Sequence, residues 1–168
     1  YALAGAVVLV ATFSSSIVQP LFGHWSDTRG AMWLLPGGVF LAGAGIALAS
    51  IAPNYPLLLL AVLVSGIGVA AFHPEGSKFA NYVSGSRRAS GMAVFSVGGN
   101  AGFALGPALG AALVVAFGLH GGLLLVLPGL AVATLLWAEA KYLASFVPGR
   151  RRAGPALVAE DQPRAFIL

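Results

Sequence analysis

The sequence contains no cysteine, and this absence excludes a disulfide framework, a thiolate metal site and a cysteine nucleophile. Charged residues are also scarce, at 8% of the 168 residues, whereas a soluble domain carries about 25%. So few charges cannot give a globular domain a surface that water wets. Lipid is therefore the solvent that this composition fits, and the mean hydropathy of +0.90 agrees with it.

Sequence motifs of several functional classes are missing as well. No glycine-rich loop resembles a phosphate cradle, so ATP-driven pumping finds no support. No HExxH motif or carboxylate cluster is present, and we expect neither an enzyme nor a bound metal or cofactor. A net charge of +4 would indicate nucleic-acid binding in a soluble protein, but the basic residues here lie between and after apolar runs. We therefore expect no nucleic-acid partner.

Five apolar runs alternate with short polar connections, which is typical of membrane-spanning helices of ~20 residues each. The fold class that follows is an all-α, polytopic membrane helix bundle. We predict transmembrane helices over residues 1–22, 31–51, 57–83, 89–117 and 123–142. Residues 143–168 are polar and basic, and we predict a cytoplasmic loop or tail there. Because Tyr1 already lies in an apolar run, we expect that a preceding segment is missing.

The distribution of lysine and arginine predicts the orientation in the membrane. Every basic residue lies in or next to the first, third and last connections, whereas the second and fourth hold none. Because loops on the cytoplasmic side carry the excess of basic residues, these three connections are predicted to face the cytoplasm from an inner (plasma) membrane. Trp25, Trp33 and Trp137 fall at the same predicted boundary, where an aromatic belt is expected.

The first basic connection carries the motif Gly23-x-x-x-Asp27-x-x-Gly30. It resembles the loop signature of the major facilitator superfamily, which lies between the second and third of that family's twelve helices. The resemblance implies a gating loop made of Gly23, Asp27, Arg29 and Gly30, in which the carboxylate helps to latch one conformation of a transporter. From the residues alone, an interfacial pair of Asp27 with Arg29 is the alternative interpretation.

A second motif, Gly102-x-x-x-Gly106-Pro107-x-x-Gly110, lies in the fourth apolar run. It resembles the antiporter signature in the fifth helix of the superfamily's drug exporters. The resemblance implies that the chain holds helices two to six, in the N-terminal six-helix half of a major facilitator fold. Small residues at this spacing predict a seam where helix backbones pack closely, with helix sliding during gating as the functional interpretation.

Three further stretches resemble the fosmidomycin-resistance exporters of that superfamily, at residues 19–27, 72–77 and 97–102. This resemblance implies a secondary active transporter that couples protons to efflux of a small antibiotic by alternating access. Its substrate site is expected near the midplane, between two six-helix halves. The first helix and the C-terminal half of the same transporter would be missing from this chain.

Glu75 is the most informative single residue, because it follows sixteen uncharged residues in the third run. A carboxylate in a membrane helix is costly unless it is paired, protonated or in contact with water. We identify Glu75 and His73 as proton-coupling candidates, although residues two apart do not share a helix face. An interfacial pair of Glu75 with Lys78 is the alternative.

Polar side chains inside the runs are candidates for a substrate path, and those are Gln19, Ser96 and Asn100. Interhelical hydrogen bonding, at ~0.6 kcal/mol each, is the alternative role for them. Two other functional classes stay open at this point. One is a structural or assembly subunit without transport, and the other is a membrane enzyme with a metal site at His24, His73 and Glu75.

Overall fold

The computed structural model describes residues 1–29 and 31–145, and in this part of the chain all regular elements are helices. This confirms the predicted all-α fold class. A 3₁₀ segment at Leu119–Leu125 precedes the sixth α-helix. The α-helices are α1 (Ala2–Ile17), α2 (Gln19–Arg29), α3 (Leu34–Ser50), α4 (Tyr55–Val83), α5 (Arg88–Phe117), α6 (Val126–Ala138) and α7 (Ala140–Ala144).

Four helical stretches of the described chain are long and apolar enough to cross a membrane: Ala2–Thr28, Tyr55–Val83, Arg88–Phe117 and Leu119–Ala138. The remaining apolar helix, α3, has 17 residues and is about 25 Å long, somewhat less than a ~30 Å hydrocarbon core. It is shorter than predicted because the chain makes a turn before it, with the Leu34 N–H bonded to the Ala31 carbonyl at 2.8 Å. The tail was predicted to start at residue 143, but α7 continues to Ala144. The rest of the predicted tail, beyond Ser145, lies outside the described residues.

The predicted loop at residues 23–30 is wrong in its secondary structure, because α2 continues to Arg29. Gly23 and Asp27 are therefore helical, and Gly30 lies outside the described residues. The reason is tertiary: this polar turn of helix packs against α4, where its side chains find hydrogen-bonding partners.

The first apolar run is instead interrupted at Val18, where α1 ends and α2 begins. Pro20 accounts for the break, because a proline inside a helix removes one backbone donor and crowds the preceding turn. The Leu21 N–H reaches back only three residues, to the Val18 carbonyl at 3.1 Å. The polar end of this run is thereby carried on a separate helical segment.

The second connection forms the turn that its prolines and asparagine predict. The Asn54 side chain caps α4 by accepting a hydrogen bond from the Leu57 N–H at 3.0 Å, and Pro56 occupies the first turn. Because of this cap, α4 starts at Tyr55, two residues earlier than predicted. The Tyr55 hydroxyl donates to the Leu3 carbonyl at 2.8 Å and ties this end of α4 to the start of α1.

Helix α4 is the centre of the bundle, since α1, α2, α3 and α5 all pack against it. Its approach to α3 is close enough for the Ser65 hydroxyl to donate to the Ala42 carbonyl at 3.0 Å. A Cβ atom at Gly45 would lie 2.5 Å from the Ser65 nitrogen, so this contact requires glycine. Small residues thus set the helix spacing, as is usual where lipid removes the hydrophobic drive for association.

Contacts at the helix ends separate the basic connections from the uncharged ones. The backbone of Gly122, in the fourth connection, lies against the side chain of Ser50 at the end of α3. At the other end of the bundle, Asp27 pairs with Lys78 near the third connection, and the rings of Trp25 and Trp33 are 5.6 Å apart. The first and third connections therefore lie at one end of the described bundle, as the charge pattern requires. That this end faces the cytoplasm stays a prediction.

Candidate functional site

A polar network joins α2 to α4 around a buried carboxylate. Glu75 is 8% exposed and Ser26 is 7% exposed. The Ser26 hydroxyl donates to Oε2 of Glu75 and accepts a hydrogen bond from Nζ of Lys78 at 2.7 Å. Lys78 also forms an ion pair with Asp27. The network therefore runs from a buried acid to an exposed one through a serine and a lysine.

Helical spacing explains why these groups meet. Glu75 and Lys78 are three residues apart and therefore lie on the same face of α4. Gly23 on α2 lies opposite Pro74 on α4, and an added Cβ there would be in ordinary van der Waals contact with Pro74 at 3.8 Å. Ser26, one turn further along α2, can then reach Glu75 with its short side chain.

The network differs from the direct pair of Glu75 with Lys78 that the sequence offered as an alternative. The other alternative, Asp27 with Arg29, stays a prediction, because the Arg29 side chain lies outside the described part of the chain. Lys78 forms its ion pair with Asp27 on the neighbouring helix, and the Ser26 hydroxyl lies between Lys78 and Glu75. Sequence reasoning missed Ser26 altogether. The only signal for it was its place in the stretch 19–27, and nothing local indicates a carboxylate 49 residues away as its partner.

His73 lies apart from Glu75, on an exposed part of α4 that faces α5. There it lines a pocket of about 880 Å³ between the two helices, together with Phe72, Phe95, Ser96 and Asn100. The structure thus brings His73 together with two of the substrate-path candidates. Glu75 does not line this pocket, nor does Gln19, which starts α2 and is partly buried.

The antiporter-like motif lies on the least covered helix of the bundle. Within the described chain no residue of α5 is buried, and added Cβ atoms at Gly102 and Gly106 would meet nothing within 4 Å. Pro107 is exposed, and an added Cβ atom at Gly110 would meet only the Leu125 side chain within 4 Å, at 3.8 Å. Apart from Leu125, the described chain places nothing against the seam predicted for this motif, and the seam stays a prediction.

The alternative metal site does not form among the described residues, where no group of three His, Asp or Glu side chains is placed to hold an ion. His24 and His73 are both exposed, whereas Glu75 is buried against α2. The α2–α4 network thus offers a buried carboxylate that accepts from a hydroxyl, with an ammonium group one hydrogen bond further on.

Comparison with known proteins gives a consistent result. A family model described as Major Facilitator Superfamily matches residues 1–166. The fosmidomycin resistance protein of Escherichia coli (strain K12) is 37% identical over 114 residues, which are 68% of this chain and 28% of that protein. An uncharacterized MFS-type transporter of Bacillus subtilis (strain 168) is 33% identical over 141 residues, 84% of this chain and 34% of the relative. This chain thus spans about a third of the length of these relatives. No solved structure matches it.

Proposed function

Because the chain belongs to the major facilitator superfamily, we propose that it is part of a secondary active transporter that exports a small anionic antibiotic in exchange for protons. The similarity to a fosmidomycin resistance protein supports fosmidomycin or a related compound as substrate. The spans of this multi-pass membrane chain would form part of the N-terminal half of the transporter, in an inner membrane with the basic connections in the cytoplasm. Substrate and protons would cross by alternating access.

The buried carboxylate of Glu75 is the observation that carries proton coupling. It lies about 12 Å from the end of α4, at 1.5 Å for each residue between it and Val83. An ionisable group inside a membrane-spanning helix is a functional candidate by default, because an uncompensated charge in the membrane is costly. Its partner is a neutral serine, with the nearest ammonium group one hydrogen bond further on.

A change in the charge of Glu75 would act on the contact between α2 and α4. While Glu75 is ionised, it accepts the Ser26 hydrogen bond, and Lys78 lies between two carboxylates. When Glu75 takes up a proton, Lys78 loses one of these two attractions, and the contact weakens. Protons would thereby shift the balance between two facing states, provided that the network is intact in only one of them.

The test is fosmidomycin accumulation in energised cells that express the full-length protein, with and without an uncoupler. Variant Glu75→Gln keeps the size of the side chain but cannot ionise. Glu139→Gln is the matched control, because Glu139 is exposed at the end of α6. We expect the unchanged protein and the control to lower accumulation in an uncoupler-sensitive way.

We expect Glu75→Gln to lose this export at normal membrane levels. If the variant exports as well as the control does, Glu75 is not the coupling group. If the unchanged protein never lowers accumulation, the antibiotic assignment is wrong, and a broad substrate screen replaces it.

A further inference from the structure

The pocket between α4 and α5 has aromatic walls that fix the position of a histidine. The rings of Phe72 and Phe95 are stacked with their centroids 6.3 Å apart. The imidazole of His73 meets both of them edge-on, at 5.9 Å from Phe72 and 6.3 Å from Phe95. Such edge-to-face contacts favour one ring orientation. His73 is thus held at the pocket surface while remaining exposed.

The described polar groups of the pocket are few, and none of them is acidic. Ser96 and Asn100 are four residues apart on α5 and so share the face that lines the pocket with His73. All three side chains can donate hydrogen bonds, and a protonated imidazole also carries a positive charge. Among the described residues, no carboxylate, lysine or arginine lines this pocket. Three side chains able to donate, one of which can carry a positive charge, with no described acid beside them favour an anionic ligand over a cationic one.

We propose that this pocket is a binding subsite for a small organic oxyanion, a phosphonate or carboxylate, whose apolar body rests on Phe95 and Phe103. The volume of about 880 Å³ is within the usual range for small-molecule sites. The inference rests on the proposed function and assigns the two candidates on α4 to different tasks. His73 binds the anionic end of the substrate, whereas Glu75 takes up protons on the side that packs against α2.

The test is the preference of the purified full-length protein for an anion over its neutral counterpart. Isothermal titration in detergent would compare benzylphosphonate with its neutral diethyl ester, and would include fosmidomycin as a second anion. Variant His73→Gln removes the imidazole, the one described group of the pocket that can carry a positive charge, and Asn100→Asp places a carboxylate in the same pocket at an exposed position. His24→Gln and His120→Gln are matched controls, because both histidines are exposed and neither lines the pocket.

We expect the unchanged protein and both controls to bind the anions at least about tenfold more tightly than the ester, the scale of one charge-assisted hydrogen bond. His73→Gln should remove most of this preference, and Asn100→Asp should abolish or reverse it. If neither variant changes the preference, or if the unchanged protein shows no preference, the inference is wrong. The same result is expected if another helix of the full-length transporter fills the pocket.

Export of fosmidomycin by the same cells separates this inference from the proposed function. If the cells export fosmidomycin but the preference for anions does not depend on His73, the subsite is wrong and the proposed exporter function is still supported. A preference that depends on His73 in a protein that does not export fosmidomycin would support the subsite and overturn the antibiotic assignment.

Discussion

The ammonium group of Lys78 on α4 forms an ion pair with the carboxylate of Asp27 on α2. The Asp27 side chain is 65% exposed and that of Lys78 is 25% exposed, so water screens this pair substantially. Exposed pairs of this kind contribute only about 0.2–1 kcal/mol. The pair is therefore suited to a contact that opens and closes, rather than to one that holds the fold together.

A double-mutant cycle measures this contact directly. We expect Asp27→Asn and Lys78→Gln, alone and combined, to give a coupling free energy of about 0.2–1 kcal/mol in thermal unfolding of the full-length protein. Lys78→Gln alone should cost more than Asp27→Asn, because Lys78 also donates to the buried Ser26 hydroxyl. Equal single-variant costs with zero coupling would contradict the network.

Removal of the Ser26 hydroxyl tests the hydrogen bond that Glu75 accepts in the network. Ser26→Ala leaves the buried Glu75 without its donor, and we expect a loss of stability of about 1–3 kcal/mol. Ser26→Thr keeps a hydroxyl and should retain part of the stability. Ser16→Ala is the control, because Ser16 is exposed on α1. If Ser26→Ala unfolds at the same temperature as this control, the stability of the protein does not depend on the hydrogen bond between Ser26 and Glu75.

The close approach of α3 and α4 makes a prediction about glycine. A methyl group at Gly45 would lie 2.7 Å from the Ser65 Cα, so Gly45→Ala must push the helices apart. We expect a destabilisation of about 1–3 kcal/mol, typical of overpacking. Gly5→Ala is the control, because nothing lies within 4 Å of that position in the described chain. Thermal unfolding of the two variants tests this, and equal stability would count against close packing.

The open face of α5 makes a prediction about the antiporter-like motif. If this face packs against another part of the full-length transporter, Gly106→Leu should abolish export at normal membrane levels. Ala108→Leu adds similar bulk to an exposed residue about 200° around the same helix and should be tolerated. Antibiotic accumulation in cells gives the comparison. Full activity of Gly106→Leu would leave the motif without a packing role.

The absence of cysteine makes the orientation easy to test. We expect a membrane-impermeant maleimide to label His120→Cys, in the fourth connection, in intact cells that express the transporter without other cysteines. Ser86→Cys, in the third connection, should react only after the membrane is opened. Both positions are exposed in the structure. The reverse pattern would invert the predicted topology.

Hydropathy and turn residues predicted where the apolar helices lie along the chain, because lipid solvation acts on each run separately. The bounds of α5, at Arg88 and Phe117, differ from the predicted ones by one residue or less. The loop predicted at residues 23–30 was wrong because this segment depends on tertiary contacts rather than on its own sequence. A polar sequence next to a membrane span is typical of a loop, and only its contacts with α4 stabilise it as a helix. Those contacts depend on residues some 50 positions away.

The candidate site was predictable to a similar extent. Glu75 was identifiable because a lone acid among apolar residues is locally unusual. Its partner Ser26 was not, because serine is common in such sequences and only the packing of two helices gives this one a role. The separation of His73 from Glu75 followed from helical geometry, but the pocket that surrounds His73 depends on where α5 lies.

His73 and Glu75 are two positions apart on one uninterrupted helix, so their side chains leave α4 in directions that differ by about 200°. A rotation of α4 about its own axis that draws Glu75 away from Ser26 must also turn His73 relative to Phe95. If Glu75 and the pocket act as proposed, the two are coupled through α4 itself, with no relay of side chains between them.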